Sequence, residues 1–322
     1  MLSIATTRRR RICSYGQRVP AGGLLWTGNA ATMTDRAYYY SILARARLAM
    51  RSETLFALRH FVGRVPFLGA IAHRAKCGVR NTLLPKEFGW VKVERGLAQG
   101  TWLRLRLLEE GSYWLGHHEV AVQELLKRLC KPGSVFYDIG AHLGFFSFGV
   151  AKCVGPKGRV FAFEPEPENC ARLKEMVIRN HLQSRLEVVE GAAWSYSSPD
   201  GVPFRRGSCN AHGGVLADGV APVLADGDVQ FVSAISLDDF LRSGNPGANV
   251  VKIDVEGGEC EVLKGAEELF SRSRPALLCE VHHEKAAHWI TEWLLPKGYV
   301  AEWRIPKELY PRLLLGQPAK SS

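Results

Sequence analysis

Val135-Phe136-Tyr137-Asp138-Ile139-Gly140-Ala141-His142-Leu143-Gly144 is followed at once by the apolar run FFSFGVAKC, residues 145–153. A short β-branched and aromatic run, a turn holding two glycines and a helical run make one strand–turn–helix unit. The same alternation continues outward from it. RVFAFE (159–164) reads as a strand and PENCARLKEMVIRNH (167–181) as a helix, with LEVVE (186–190) as the next strand. After an irregular glycine-rich stretch come the strand NVVKIDV (249–255) and the helix GECEVLKGAEELF (258–270). The strand ALLCEVH (276–282), the helix KAAHWITEWLLPKG (285–298) and the strand YVAEW (299–303) complete the series. Strands separated by helices require crossover connections, so the expected fold is α/β: a Rossmann-like, doubly wound, mostly parallel sheet.

Upstream, FGWVKVE and TWLRLRLL alternate across Gly96 and Gly100 and predict a small β hairpin over 88–108, with a helix from Glu119 to Cys130 behind it. Residues 35–87 predict a helical N-terminal extension, because Tyr39, Ile42, Leu43, Ala46, Met50, Leu58, Phe61 and Val62 recur at helical spacing. Residues 1–34 lack periodicity and are expected to be a disordered basic leader. The α/β domain is expected over 88–322, with its core at 119–303. Residues 195–228, rich in Gly, Ser, Pro and Asp, read as an inserted loop or a pair of weak strands at the sheet edge.

Charge sharpens this division. The net charge is +10, yet residues 1–52 hold nine arginines against a single acid, Asp35, and so carry eight of those ten charges. The domain is nearly neutral, which disfavours nucleic acid as its partner. The basic head suits peripheral contact with an anionic membrane, an organelle-targeting segment, or sequence upstream of a start at Met33 or Met50; a dispensable leader on a cytoplasmic protein is preferred. Eight cysteines without any C-x-x-C pair argue against a zinc ribbon or a dense disulfide framework.

In a doubly wound sheet the ligand lies beyond the carboxyl ends of the strands. The first of these ends at Asp138, with Gly140, His142 and Gly144 in the turn, where absent side chains would let backbone approach a ligand. The spacing G-x-x-x-G is not the G-x-G-x-x-G that seats a pyrophosphate. The second ends at Glu164-Pro165, placed for a carboxylate to accept ribose hydroxyls. Glu190 and Ala192 stand at the third tip. Two carboxylates at successive tips, with no phosphate cradle, fit S-adenosylmethionine, a phosphate-free nucleoside with a positive sulfonium. Trp194 is assigned to the core.

These motifs resemble those of class I S-adenosylmethionine-dependent methyltransferases, and the resemblance implies that Glu190 and Ala192 lie at the adenine. Three further stretches resemble the FkbM family: Lys252-Ile253-Asp254-Val255-Glu256-Gly257-Gly258-Glu259, Leu263-Lys264-Gly265-Ala266, and Pro275 with Glu280 and His282. The likeness runs from about 119 to 299; His142 stands where the family commonly has Asn, and Gly258 where a small residue such as Ala is usual. The resemblance implies methyl transfer to a hydroxyl of a sugar, glycolipid or polyketide-like small molecule, so a glycan, lipid or other hydroxyl-bearing acceptor is the expected partner. The period of two places Lys252 with Asp254, and Glu280 with His282, on common strand faces. Asp254, Glu280 and His282 are therefore the catalytic candidates; no metal is assigned, and Glu259 is read as favouring the next helix's N-terminus through its dipole.

Two alternatives remain at this point. An RNA or protein methyltransferase on the same fold would carry an Asn/Asp-Pro-Pro-Tyr/Phe cradle or a Pro-Cys pair, and neither occurs. A nicotinamide-dependent oxidoreductase would carry the middle glycine and a Tyr-x-x-x-Lys pair, also missing.

Overall fold

The computed structural model describes residues 88–205, 214–215, 229–304 and 311–319. The expectations for 1–34 and 35–87 lie outside the described residues. In chain order the elements are β1 (Gly89–Lys92), β2 (Trp102–Leu105), α1 (Leu107–Leu115), α2 (Val120–Leu129), β3 (Val135–Ile139), α3 (Phe145–Val154), β4 (Arg159–Glu164), α4 (Pro167–Arg179) and β5 (Leu186–Glu190). Then follow β6 (Ala192–Ala193), β7 (Ser198–Arg205), β8 (Gly214–Val215), β9 (Val229–Ile235), α5 (Leu237–Arg242), β10 (Val250–Ile253), α6 (Glu259–Lys264) and α7 (Glu267–Arg272). The last are β11 (Ala276–Val281), α8 (Glu284–Leu294), a 3₁₀ turn (Leu295–Lys297), β12 (Tyr299–Trp303) and β13 (Arg312–Pro318).

The main sheet has seven strands in the order β12-β13-β11-β10-β3-β4-β5. Strands β5, β4, β3, β10 and β11 pair in parallel, whereas β13 runs antiparallel between β11 and β12. Strand order reverses between β3 and β10, which opens a crevice at their carboxyl ends. The period of two divides the interior into two cores. Phe136, Val160, Ala162, Val250 and Leu278 pack on one face with Leu126, Phe148 and Leu173 from α2, α3 and α4. Tyr137, Phe161, Phe163, Val251 and Cys279 pack on the other with Leu263, Phe270 and Ile290 from α6, α7 and α8. The even-numbered strand-end residues Asp138, Glu164, Lys252 and Glu280 continue the first face, so one geometric rule gathers them.

Four elements depart from expectation. The hairpin's second strand stops at Leu105, and Leu107–Leu115 is helix. The Glu110 carboxylate accepts from the Arg106 amide at 2.7 Å, and Glu109 and Glu110 sit in the first turn, so local capping ends the strand. Second, the helix expected over 258–270 splits at Gly265-Ala266. A Cβ on Gly265 would lie 2.1 Å from the Trp194 carbonyl, so backbone from the inserted region crosses at the break. Third, that inserted region forms its own small sheet, β6-β9-β7-β8, whose strand 229–235 and following helix α5 were not anticipated. The Ser236 hydroxyl accepts from the Asp239 amide at 3.0 Å, and this S-x-x-D cap was legible. Fourth, β13 was missed. Its Leu313-Leu314-Leu315 run is buried on both faces, so it carries no alternation to read. Among the described residues, no helix is long and apolar enough to cross a membrane.

Candidate functional site

The carboxyl tips of β3, β4, β10 and β11 open onto a cavity of about 600 Å³ roofed by α1 and the turn leading to α2. Gly140, Ala141, His142, Glu164, Pro165, Ala192, Asp254 and Glu280 all line it. Asp138 lies directly behind. It is 1% exposed; Oδ2 accepts from the Ser147 hydroxyl at 2.6 Å, and Oδ1 has no hydrogen-bond partner. Burial pushes its carboxyl up, against the pull of Lys252 and Ser147.

The turn after β3 is built against its neighbours. Gly140 and Ala141 donate to the Phe163 carbonyl at 3.0 and 2.9 Å, and the His142 amide donates to Glu164 Oε2 at 2.7 Å. Gly140 has φ +77°, and a Cβ there would lie 1.8 Å from the Asp254 carbonyl; one on Gly144 would lie 2.4 Å from Leu173. These glycines make the tight turn, and what their missing side chains clear is room for the protein's own β10 tip and for α4. His142 adopts φ +52°, a left-handed conformation unfavourable for a side-chain-bearing residue. Burial, and then the Arg172 guanidinium, bring its imidazole down to about 3, so it is neutral at ordinary pH.

Glu164 is 5% exposed and fully occupied along one edge: Oε2 by the His142 amide, Oε1 by the Glu166 amide at 3.0 Å and by Asn169 Nδ2 at 3.2 Å. Burial outweighs these donors and lifts the carboxyl to about 7. Asn169 was missed from sequence. It sits in the first turn of α4, lines the cavity, and its Oδ1 is buried without a partner. Its position five residues after the strand-end acid was the available signal. Trp194, assigned to the core, is buried yet also lines the cavity. Glu190, expected at the adenine, is exposed and ion-paired to Lys174 from α4, so its side chain points away from the cavity wall. Its neighbours Gly191 and Ala192 line the cavity instead.

On the other side of the switch point, Lys252 and Asp138 are register partners on adjacent strands. Lys252 is 4% exposed, with Nζ 3.0 Å from Asp254 Oδ2 and 3.9 Å from Asp138 Oδ1. Burial opposes its charge, but the two carboxylates override that and raise it above the ordinary lysine value. Burial likewise opposes ionised Asp254, and Lys252 overrides it, so Asp254 titrates low. Glu280 behaves oppositely. Burial, followed by the Asp254 and Glu119 carboxylates, pushes it up to about 7.

His282, a catalytic candidate from the sequence, is held by its surroundings as a cation. Nδ1 lies 2.6 Å from Oε1 of the fully buried Glu259, and Nε2 lies 3.2 Å from Glu256 and 3.7 Å from Glu280. Although burial opposes the imidazolium, Glu256 and Glu259 hold it up to about 10, so the ring already carries its proton. Glu259, read from sequence as a dipole partner, also accepts from the Gly257 amide at 2.9 Å and clamps His282. Asp254, Glu280 and His282 each bring one donor atom within 4.8 Å of the others. Lys252 and the two glutamates already engage Asp254 and His282.

A sulfonium nucleoside fits this wall. Asn169 Oδ1, buried without a partner beside the Glu164 carboxylate, can accept from a hydroxyl or amino donor, and Asp138 supplies negative charge behind the turn. When bound, S-adenosylmethionine supplies an electrophilic methyl carbon on positively charged sulfur. The comparisons agree with this chemistry. Residues 138–301 match the methyltransferase FkbM domain. The chain is 32% identical over 156 residues to the hexuronic acid methyltransferase AglP of Haloferax volcanii, covering 46% of this chain and 56% of that one. It is 27% identical over 174 residues to the 31-O-demethyl-FK506 methyltransferase FkbM of Streptomyces tacrolimicus, covering 47% of this chain and 66% of that one. The chain therefore spans between half and two thirds of these relatives. A solved FkbM methyltransferase from Methylobacillus flagellatus is 17% identical, with a TM-score of 0.42 and coverage of 77% of this chain and 60% of that one. The cofactor is S-adenosylmethionine, which sets aside the nicotinamide alternative. With the matched domain spanning half its length, the chain belongs to the FkbM methyltransferase family.

Proposed function

We propose that this enzyme methylates a hydroxyl oxygen of a sugar, glycolipid or related small molecule. The observation that carries the reading is Glu280: a carboxyl at the tip of β11, lining the cavity, held near 7 by burial and by Asp254 and Glu119. A base matched to neutral pH is what a neutral hydroxyl nucleophile requires. Asp254 and His282 complete the catalytic set with altered roles. Asp254 is tied to Lys252 and fixes the β10 tip beside the acceptor; His282 positions Glu256 and Glu280 as a fixed cation. Asp138 and the Gly140–Gly144 turn hold the amino-acid end of the cofactor, Glu164 and Asn169 its ribose, and Ala192 its base. In the transfer, Glu280 receives the proton of the acceptor hydroxyl, whose oxygen would take the methyl group that bound S-adenosylmethionine would supply. The substrates named for the relatives, a hexuronic acid and 31-O-demethyl-FK506, support a hydroxyl-bearing acceptor.

Methyl-labelled S-adenosylmethionine incubated with separate glycan, lipid, RNA and protein pools tests the reading. Label is expected in glycan or lipid in a linkage that survives mild alkali, as an ether does and a methyl ester does not. Label confined to RNA or protein overturns it.

A further inference from the structure

The cavity is unequally furnished for hydrogen bonding. Strands lie about 4.8 Å apart, so β4 and β11, three steps apart across the sheet, put the ribose end and the Glu280 end about 14 Å from each other. At the Glu280 end the wall carries the Glu119, Asp254, Glu256 and Glu280 carboxylates. Glu119 projects from the turn before α2, with Oε1 2.8 Å from His118 Nε2 and Oε2 buried without a hydrogen-bond partner. Beside it stand Tyr113 and His118, their ring centroids 4.1 Å apart. Among the described cavity residues, Lys252 is the single lysine or arginine, and it is committed to Asp254 and Asp138.

We infer that the acceptor is an uncharged polyol, a neutral sugar face bound through its hydroxyls by Glu119 and Glu256 and against the Tyr113–His118 rings, and that Glu119 determines this specificity. The inference rests on the hydroxyl-methylation reading and narrows it. A buried acceptor atom without a donor costs about 1–3 kcal/mol, so the ligand that fits must bring donors. A sugar hydroxyl is a donor and its C–H face packs on aromatic rings. A uronate or phosphate brings only further negative charge to a wall of carboxylates and finds no uncommitted lysine or arginine among the described cavity residues. In this respect the acceptor differs from that named for the hexuronic acid methyltransferase relative.

The experiment uses the full chain. Glycan and lipid pools are labelled as above, the products hydrolysed to their component units, and the labelled unit separated by charge. A labelled neutral sugar is the expected result; a labelled uronic acid, sugar phosphate or amine overturns the inference while leaving methylation intact. No label in any glycan or lipid overturns the underlying reading itself. With the neutral acceptor in hand, Glu119→Gln should raise its KM about tenfold, the worth of one charged hydrogen bond. S-adenosylmethionine affinity, measured by calorimetry, should change less than twofold and reports that the site is intact. Glu119→Ala repeats the test without an amide. An unchanged KM in both variants removes Glu119 from the acceptor site.

Discussion

Glu164 offers a perturbation whose size follows from its surroundings. Its carboxyl is buried behind three donors and titrates near 7, against an ordinary 4.5. The folded protein therefore holds this proton more tightly than the unfolded chain does. The group favours folding at low pH, and its contribution falls away as pH rises from about 4.5 through about 7. At 1.36 kcal/mol per pH unit, the change between pH 5 and pH 8 is about 2–3 kcal/mol. Glu164→Gln removes the titration but sets an amide N–H against a donor, either the His142 amide or the Glu166–Asn169 pair. That mismatch costs about 1–3 kcal/mol and does not vary with pH. Urea unfolding of both proteins at pH 5, 6, 7 and 8 without cofactor separates the two effects. The variant should start below wild type at pH 5 and gain about 2–3 kcal/mol on it by pH 8. A stability difference that stays constant across the range refutes the argument. In the role proposed above, the same carboxyl accepts from the ribose hydroxyls in its ionised form, so wild-type affinity for S-adenosylmethionine should rise through pH 7. The variant should bind weakly at every pH; equal binding of both at pH 8 removes Glu164 from the cofactor site.

Three further outcomes follow from the same tips. Asp138→Ala should abolish detectable S-adenosylmethionine binding by calorimetry while circular dichroism stays native; undiminished binding separates Asp138 from the cofactor. Gly140→Ala places a Cβ against the Asp254 carbonyl in a left-handed turn, which alone costs about 1–2 kcal/mol. With the added displacement of β10, the melting temperature should drop by at least about 5 °C, and a drop under 2 °C would show that the strands yield freely. Lys252→Met strands the Asp138 and Asp254 carboxylates, at a cost of about 3–5 kcal/mol in denaturant unfolding. Adding Asp254→Asn should restore part of that loss, and strict additivity of the two changes would mean that no coupling exists between them.

Much of the fold was written locally. Strand runs such as Val135–Ile139 and Arg159–Glu164 carry apolar residues on both faces and end at glycine or proline, which marks a buried parallel strand whatever surrounds it. Their period of two also brings Asp138, Glu164, Lys252 and Glu280 to one face, so these four tip residues could be grouped once the strands were placed. What the sequence by itself determined was therefore which residues stand at strand tips. Their chemistry was decided by tertiary structure, because protonation and partnership depend on neighbours far along the chain. His282 becomes a fixed cation through Glu256 and Glu259, 26 and 23 residues away. Glu190 turns out to an exposed lysine, Asn169 turns in, and β13 enters the sheet through pairings that no local pattern encodes. Hydrophobic periodicity is a property of adjacent residues; burial and electrostatic fields belong to the packed whole.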